Sequence, residues 1–307
     1  MVLEDFPMIK RYQPHLLYRL RGASFMIKII SDSTCDLSPE LLRKYEIDIL
    51  PLYIVLGDQE YADGEGISPD EIYRWSDANN QTPKTAAISL ERATKLFSKY
   101  LEQGAEIICF SISASMSTTG NVMRMAAEEL NAGNRIHVID SANLSTGVGL
   151  QVIEAAIMAQ AGKSADEIIR HIEAIRPKVR ASFVVDTLTF LHRGGRCSGL
   201  AAMLGGALKL HPRIAVEDGK MAPGKKYRGK MSVVLKHYAA DMEEELLKAK
   251  KDRVFITHSG CDQADILNIH DYLISLHHFD EILVTRAGGV ISSHCGPGTL
   301  GVLFISE

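Results

Sequence analysis

The chain lacks the marks of most specialised function classes. Its 34 basic and 38 acidic residues leave a net charge of −4. That balance provides no electrostatic footprint for nucleic acid or for an anionic membrane surface. No apolar run approaches the roughly 20 residues of a membrane-spanning helix, so no stable membrane insertion is expected. The five cysteines (Cys35, Cys109, Cys197, Cys261 and Cys295) are scattered, odd in number and free of any C-x-x-C pair. Their spacing argues against a disulfide framework or a zinc knuckle, and it favours a reducing cytoplasm. His270, His277 and His278 invite a metal, but no H-E-x-x-H pattern or acidic partner at ligand spacing accompanies them. Neither a Walker pattern nor a G-x-G-x-x-G fingerprint occurs, so no metal or nucleotide cofactor is expected. Internal repeats and low-complexity tracts are also absent.

What is present is an ordinary globular composition, 46% hydrophobic and 23% charged, over 307 residues. A chain of this length can bury ample core and suits two domains. Residues 1–25 mix Lys10, Arg11, Arg19 and Arg21 with aromatics and have no continuous apolar core. They read as an N-terminal extension outside the fold, with a basic targeting segment as the alternative.

From Met26 onward, apolar strand patterns alternate with helical ones. Met26-Ile27-Lys28-Ile29-Ile30 reads as a strand, and Ser38-Pro39-Glu40 opens a helix with a cap and a first-position proline. Residues 47–56 form an extended stretch interrupted by Pro51. Helical patterns follow over 69–77 and 90–103, strands near 107 and over 135–139, and a small-residue helix over about 145–161. Such alternation predicts a parallel sheet covered on both faces, over residues 26–163. Ligands in such sheets sit off the carboxyl ends of the strands, where Asp32, Ser117 and Asp140 fall.

Beyond Gly162 the texture changes. A helix is expected over 164–175, a strand over 181–185 and a tight basic turn at Arg193-Gly194-Gly195-Arg196. Asp218-Gly219 signals a hairpin. A long helix over 232–248, a strand over 254–257, a helix over 262–276 and strands over 281–285 and 299–305 complete the chain. Residues 164–307 therefore suggest a second α/β domain of α+β type with a mixed sheet.

One stretch stands out. A buried-strand pattern, Ile107-Ile108-Cys109-Phe110, runs into a loop carrying Ser111, Ser113, Ser115, Ser117, Thr118 and Thr119, and a helix follows. One hydroxyl suffices for an N-cap. Six beside the unpaired amides of a helix start suit a carboxylate or a phosphate. Thr85, ahead of the Ser89 cap, is not needed for that cap and is a further donor. Ser292-Ser293-His294-Cys295-Gly296-Pro297-Gly298 reads as a sharp loop whose histidine can donate or accept near neutral pH. A Cys-His nucleophile pair is disfavoured there, because neighbours in an extended segment face opposite ways. Arg193 and Arg196, with Lys225, Lys226 and Arg228, could form a phosphate-facing rim or simply a solvated surface.

Taken in order, these loops resemble the DegV family of bacterial fatty-acid-binding proteins, from Met26 to the C-terminus. Ser31-Asp32-Ser33-Thr34-Cys35-Asp36-Leu37 is similar to the family's D-S-x-x-D-L. Thr85 to Ser89 stands where the family has T-S-Q-P-S, and Ser113 to Asn121 where it has a serine-rich run ending L-S-G-T. Leu188 to Arg196 is similar to L-x-x-L-x-x-G-G-R, and His294 to Gly298 to H-x-G-P-G. The resemblance implies a Rossmann-like N-terminal α/β domain and a C-terminal α/β domain, with one long-chain fatty acid held between them, its carboxylate on hydroxyls and its tail in an apolar tunnel. By position, Thr85, Ser117 and His294 match the carboxylate network, with Thr119 contributing. Arg196 and Arg228 match arginines on the head-group or partner side, and Met116 and Gly296 line the tunnel or its loop. The resemblance further implies a separate fatty acid kinase, making acyl phosphate for phospholipid synthesis, and no catalytic residue in this chain. Two departures bear on the contacts: Ala86-Ala87-Ile88 replaces the family's S-Q-P, and Thr118 replaces its glycine.

A fatty-acid carrier is thus expected. The alternatives are an enzyme acting on a small carboxylate or phosphate at the same cleft, with His294 as acid or base, and a lipid-responsive regulatory sensor.

Overall fold

A computed structural model describes residues 26–197 and 210–307; the expected extension over residues 1–25 lies outside them. The first half runs β1 (Ile27–Asp32), α1 (Pro39–Lys44), β2 (Asp48–Leu50), β3 (Tyr53–Leu56), β4 (Gln59–Ala62), α2 (Pro69–Asn79), β5 (Lys84–Ala86), α3 (Leu90–Glu102), β6 (Glu106–Ser111), α4 (Thr119–Glu129), β7 (Ile136–Asp140) and α5 (Thr146–Gln160). The second runs α6 (Ala165–Ile175), β8 (Val179–Val184), α7 (Thr189–Gly194), β9 (Leu210–Glu217), β10 (Lys220–Arg228), α8 (Met231–Asp241), α9 (Glu243–Leu246), β11 (Arg253–His258), α10 (Gln263–Ser275), β12 (Glu281–Arg286), α11 (Gly289–Cys295) and β13 (Leu300–Ile305).

Strands β2-β1-β6-β7 form a parallel sheet. Its central run, Ile107 to Phe110, is wholly buried, as a sheet covered on both faces requires. Strands β10-β9-β8-β13-β11-β12 form a mixed sheet, antiparallel except for β11 beside β12. The α/β architecture expected from the alternation is thus present, with a parallel sheet first and a mixed sheet after it. A third sheet, β4-β3-β5, is small and antiparallel.

Helices α1, α2, α3 and α6 begin where a serine side chain accepts a free amide. Ser38 Oγ accepts from Leu41 N with Pro39 at the first turn, and Ser89 Oγ accepts from Arg92 N. Ser68 and Ser164 form capping boxes with Glu71 and Glu167.

Helix α5 is apolar on nearly every side, and Thr146 through Ala156 are all buried. Its two faces meet different sheets. Ile29, Ile108 and Phe110 of the parallel sheet share one hydrophobic cluster with Ala181, Phe255 and Leu303 of the mixed sheet, with Val148, Leu150, Val152 and Ile153 between them. A helix apolar all round belongs inside a core. The expected boundary near residue 163 falls in the turn that joins α5 to α6.

Four expected segments differ in detail. Residues 47–56 divide at Pro51 into β2 of the parallel sheet and β3 of the small one, since proline cannot carry a ladder N–H through. Arg193-Gly194-Gly195-Arg196 is the end of α7, closed by Gly195 in the left-handed region, rather than a free turn. The expected helix over 232–248 breaks into α8 and α9 at Met242. Residues 292–295, expected as a sharp loop, are helical and belong to α11. Only Gly296-Pro297-Gly298 leaves the helix, which places His294 in a last turn rather than on a loop tip.

Candidate functional site

The hydroxyl loop leaves β6 at Ser111 and enters α4 at Thr119. Several bonds to neighbouring elements hold it. Asp32 Oδ2, at the end of β1, accepts from Ile112 N at 2.8 Å. Ser113 N donates to Asn143 O at 2.9 Å. Ser113 Oγ donates to Gly219 O at 2.6 Å, so the tip of the β9–β10 hairpin rests on the loop. The expected hydroxyls therefore divide their labour. Ser111 Oγ is buried, with no hydrogen-bond partner among the described residues. Ser113 fastens the hairpin, and Thr118 stands at the N-cap position without a side-chain cap bond. Ser117 Oγ accepts from Thr119 N at 3.3 Å and lies 3.0 Å from Thr119 Oγ1.

A cavity of about 510 Å³ opens against this loop, a volume ordinary for a small-molecule site. Of the residues expected from sequence, Thr85, Met116, Ser117, Arg196 and His294 line it. Thr119 does not; it is buried directly behind Ser117. Gly296 is off the wall as well. It shapes the turn after α11, packs against Phe190 and accepts from Ser259 Oγ at 2.5 Å. Arg228 sits exposed at the far end of β10, outside the lining.

Thr85 and His294 reach the cavity on different elements. Thr85 lies on β5, paired with Ile54 of β3, and His294 on α11. Thr85 Oγ1 is 2.8 Å from His294 Nε2. The other ring nitrogen, Nδ1, is buried and has no hydrogen-bond partner among the described residues. Burial, helped by the Arg196 charge, lowers the imidazole pKa to about 4, so the ring is neutral near pH 7. A buried donor without an acceptor costs more than a buried acceptor without a donor. The favoured tautomer therefore leaves Nδ1 bare and has Nε2–H donate to Thr85 Oγ1. Arg196 arches over the same wall, donating through Nη1 to Gly194 O at 2.7 Å and through Nε to Met116 O at 3.5 Å.

Ser115 and Thr118 complete the hydroxyl side, and the opposite wall is apolar. Ile112, Met116, Leu144, Met221, Ile291 and Cys295 line the cavity and belong to one cluster that continues through Phe183, Val185, Leu191 and Ile214. Of these, sequence patterning singled out only Met116 and Cys295, because in each element the others read as ordinary core positions. Cys295 follows His294 on a helix, so the two side chains diverge by about 100° rather than facing opposite ways. Burial pushes the Cys295 thiol up to about 12, which leaves it protonated and a weak nucleophile. A second cleft, of about 800 Å³, carries arginines and carboxylates of both halves and lacks the hydroxyl set.

Comparison with known proteins bears on this site. The family model described as an uncharacterised protein of the DegV family matches residues 26–307. A DegV domain-containing protein of Deinococcus radiodurans is 32% identical over 280 residues, covering 90% of this chain and 97% of the relative. The solved structure of a fatty-acid-binding DegV family protein from Thermus thermophilus superposes with a TM-score of 0.85 at 29% identity, over 92% of this chain and all (100%) of that one. A stearic-acid-binding protein from Eubacterium ventriosum superposes with a TM-score of 0.80 at 28% identity, over 92% of this chain and 98% of the other.

Proposed function

The chain belongs to the DegV family, and we propose on that premise that it binds one long-chain fatty acid in the cavity between its two halves. The observation that carries this reading is the contact of Thr85 with a neutral His294, beside Ser117, at one side of a cavity that also has a continuous apolar wall. With Nε2–H donating to Thr85, the Thr85 O–H is free to donate to a carboxylate. Ser117 Oγ already accepts from Thr119 N, so its own O–H can turn the same way. Thr119 supports Ser117 from behind. Two hydroxyls thus meet an acid head group without a formal charge between them.

Each such bond to a carboxylate contributes roughly 1.5–3 kcal/mol. Burying an acyl chain contributes about 0.8 kcal/mol per methylene. A chain of around fifteen methylenes therefore dominates affinity, and the hydroxyls select an acid and set its register.

Chemistry on the head group falls, in this reading, to a separate fatty acid kinase in the cytoplasm, which makes the acyl phosphate used for phospholipid synthesis. An imidazole with a pKa near 4 is scarcely protonated near pH 7 and makes a poor general acid, which supports a carrier over an enzyme. Arg196 stands where a developing phosphate would need a cation, and Arg228 is a candidate contact for the kinase.

The test is solvent extraction of purified protein, followed by rebinding to the delipidated form. A long-chain fatty acid near one per chain, and rebinding of that acid but not of acetate, is the expected result. Failure of any fatty acid to bind at micromolar concentration overturns the reading.

A further inference from the structure

Thr85 and His294 sit on elements that no short stretch of chain connects. Helix α11 has only seven residues, too few to be stable or located by itself. Its position must come from its ends, and its amino end is unusual. Gly288 N donates to Asp36 Oδ1 at 2.8 Å, and Gly289 N donates to Asp63 Oδ1 at 2.7 Å. Both carboxylates belong to the first half of the chain, and both are buried. A carboxyl oxygen that accepts from a free amide at a helix start satisfies a donor that has no partner within the helix, and such approach demands glycine. A β-carbon on Gly289 would stand 2.7 Å from Ile54 Cδ1 and 3.0 Å from Asp63 Oδ1.

Asp63 has a second attachment. It directly follows β4, and its own N–H donates to Leu52 O at 2.8 Å, just ahead of β3. Ile54 of that strand is the residue paired with Thr85. The carboxylate therefore joins the small sheet that presents Thr85 to the helix that presents His294. From Gly289 to His294 the helix rises about 7.5 Å. A displacement of 1 Å at its start would carry the imbedded ring out of hydrogen-bond range of Thr85.

We propose that Asp63 is a positioning residue for head-group binding: by holding Gly289 N it fixes α11 against the Thr85 sheet and so sets the Thr85–His294 contact. The role rests on the fatty-acid reading for its ligand, but the contact it sets can be observed without any ligand.

The experiment is a double-mutant cycle on fatty-acid affinity, paired with histidine ¹⁵N NMR of the ligand-free protein. Asp63→Ala should weaken binding about tenfold, whereas Asp63→Asn, whose amide oxygen still accepts from Gly289 N, should stay within about threefold of wild type. Asp63→Ala added to Thr85→Ala should cost little beyond Thr85→Ala alone, since both act through one contact. In the ligand-free protein, Asp63→Ala should shift the His294 Nε2 resonance as Thr85→Ala does, and Asp63→Asn should not. If Asp63→Ala does not fold, Asp63→Ser, too short to reach Gly289 N, takes its place. Additive losses, or an unmoved His294 resonance in a folded variant, would overturn the positioning role. A wild type that binds no fatty acid defeats the functional reading instead, and the NMR comparison then decides the role of Asp63 by itself.

Discussion

The Thr85 hydroxyl meets Nε2 of His294 at 2.8 Å across a separation of 209 positions in the chain. The two residues come from different halves, and their contact exists only when both have folded against each other. This end of the cavity is thus an assembled feature, and its sensitivity to substitution can be forecast residue by residue.

Thr85→Ala and Ser117→Ala should each weaken fatty-acid binding about tenfold or more, the loss of one hydrogen bond to a charged group, and His294→Ala comparably, because its Nε2–H is what leaves the Thr85 O–H free for the carboxylate. Thr119→Ala should cost less, because Thr119 acts through Ser117, and Ser111→Ala should cost least. Displacement of a fluorescent fatty acid measures all five. Equal and negligible losses at the first three would place the head group elsewhere.

Arg228 lies outside the cavity lining and Arg196 within it. With a matching kinase, ATP and loaded lipid, both Arg228→Ala and Arg196→Ala should slow acyl-phosphate formation. Arg228→Ala should leave fatty-acid affinity within about twofold of wild type, as expected for an exposed charge. Normal turnover in both variants would remove these arginines from the transfer surface.

Stability should fall between pH 6.5 and 8. Burial lifts the Asp36 carboxyl from 3.8 to about 8, against hydrogen bonds from Ser145 and Gly288 that oppose the shift. In that window the unfolded chain has released this proton and the folded one retains it. Folding then takes up a proton, and stability declines as pH rises. His294 has the opposite sign, since its pKa is lowered on folding, but its contribution ends near its unfolded value of 6.5. The melting temperature of Asp36→Asn should therefore change less between pH 6.5 and 8 than that of wild type, whose Asp36 contributes at most about 1.4 kcal/mol per pH unit. Parallel curves for the two proteins would contradict this assignment.

The hairpin tip offers a separate test of the loop. Gly219 has a φ of 75°, and a β-carbon there would stand 2.7 Å from Ser113 Oγ. Gly219→Ala should cost about 1 kcal/mol or more, through both the backbone and the clash. It should also weaken fatty-acid binding, because the displaced serine belongs to the loop that presents Ser117. Unfolding in denaturant and the displacement assay read the two effects independently, and unchanged affinity would uncouple the hairpin from the site.

Much of this arrangement is legible in the sequence where a local rule decides the outcome. The buried run at β6, the serine caps of α1 and α3, and the Asp218-Gly219 turn all follow from short-range chemistry. So does the crowding of hydroxyls after β6. Strand β5 was not legible, because its three residues pair with β3 and carry no alternation of their own. Helix α11 was not legible either. Its Gly-Val-Ile-Ser-Ser-His-Cys has weak helix formers and a diglycine start, and what holds it is a pair of carboxylates more than two hundred positions away. Asp36 stood within a recognisable motif, whereas Asp63 gave no sequence signal at all. Its importance arises from a backbone amide that only the tertiary structure brings to it.

Helix α5 has a consequence for how such a chain can be divided. It is the last element of the first half in sequence, yet its apolar surface is shared between both sheets. A gene cut after residue 163 would encode a parallel sheet whose covering helix presents a bare, sticky flank to solvent, and the remaining piece would lack the lid over its own sheet. Neither fragment could serve as a movable cassette in a fusion protein. The cavity between the halves thus belongs to a unit that is expressed and lost as a whole.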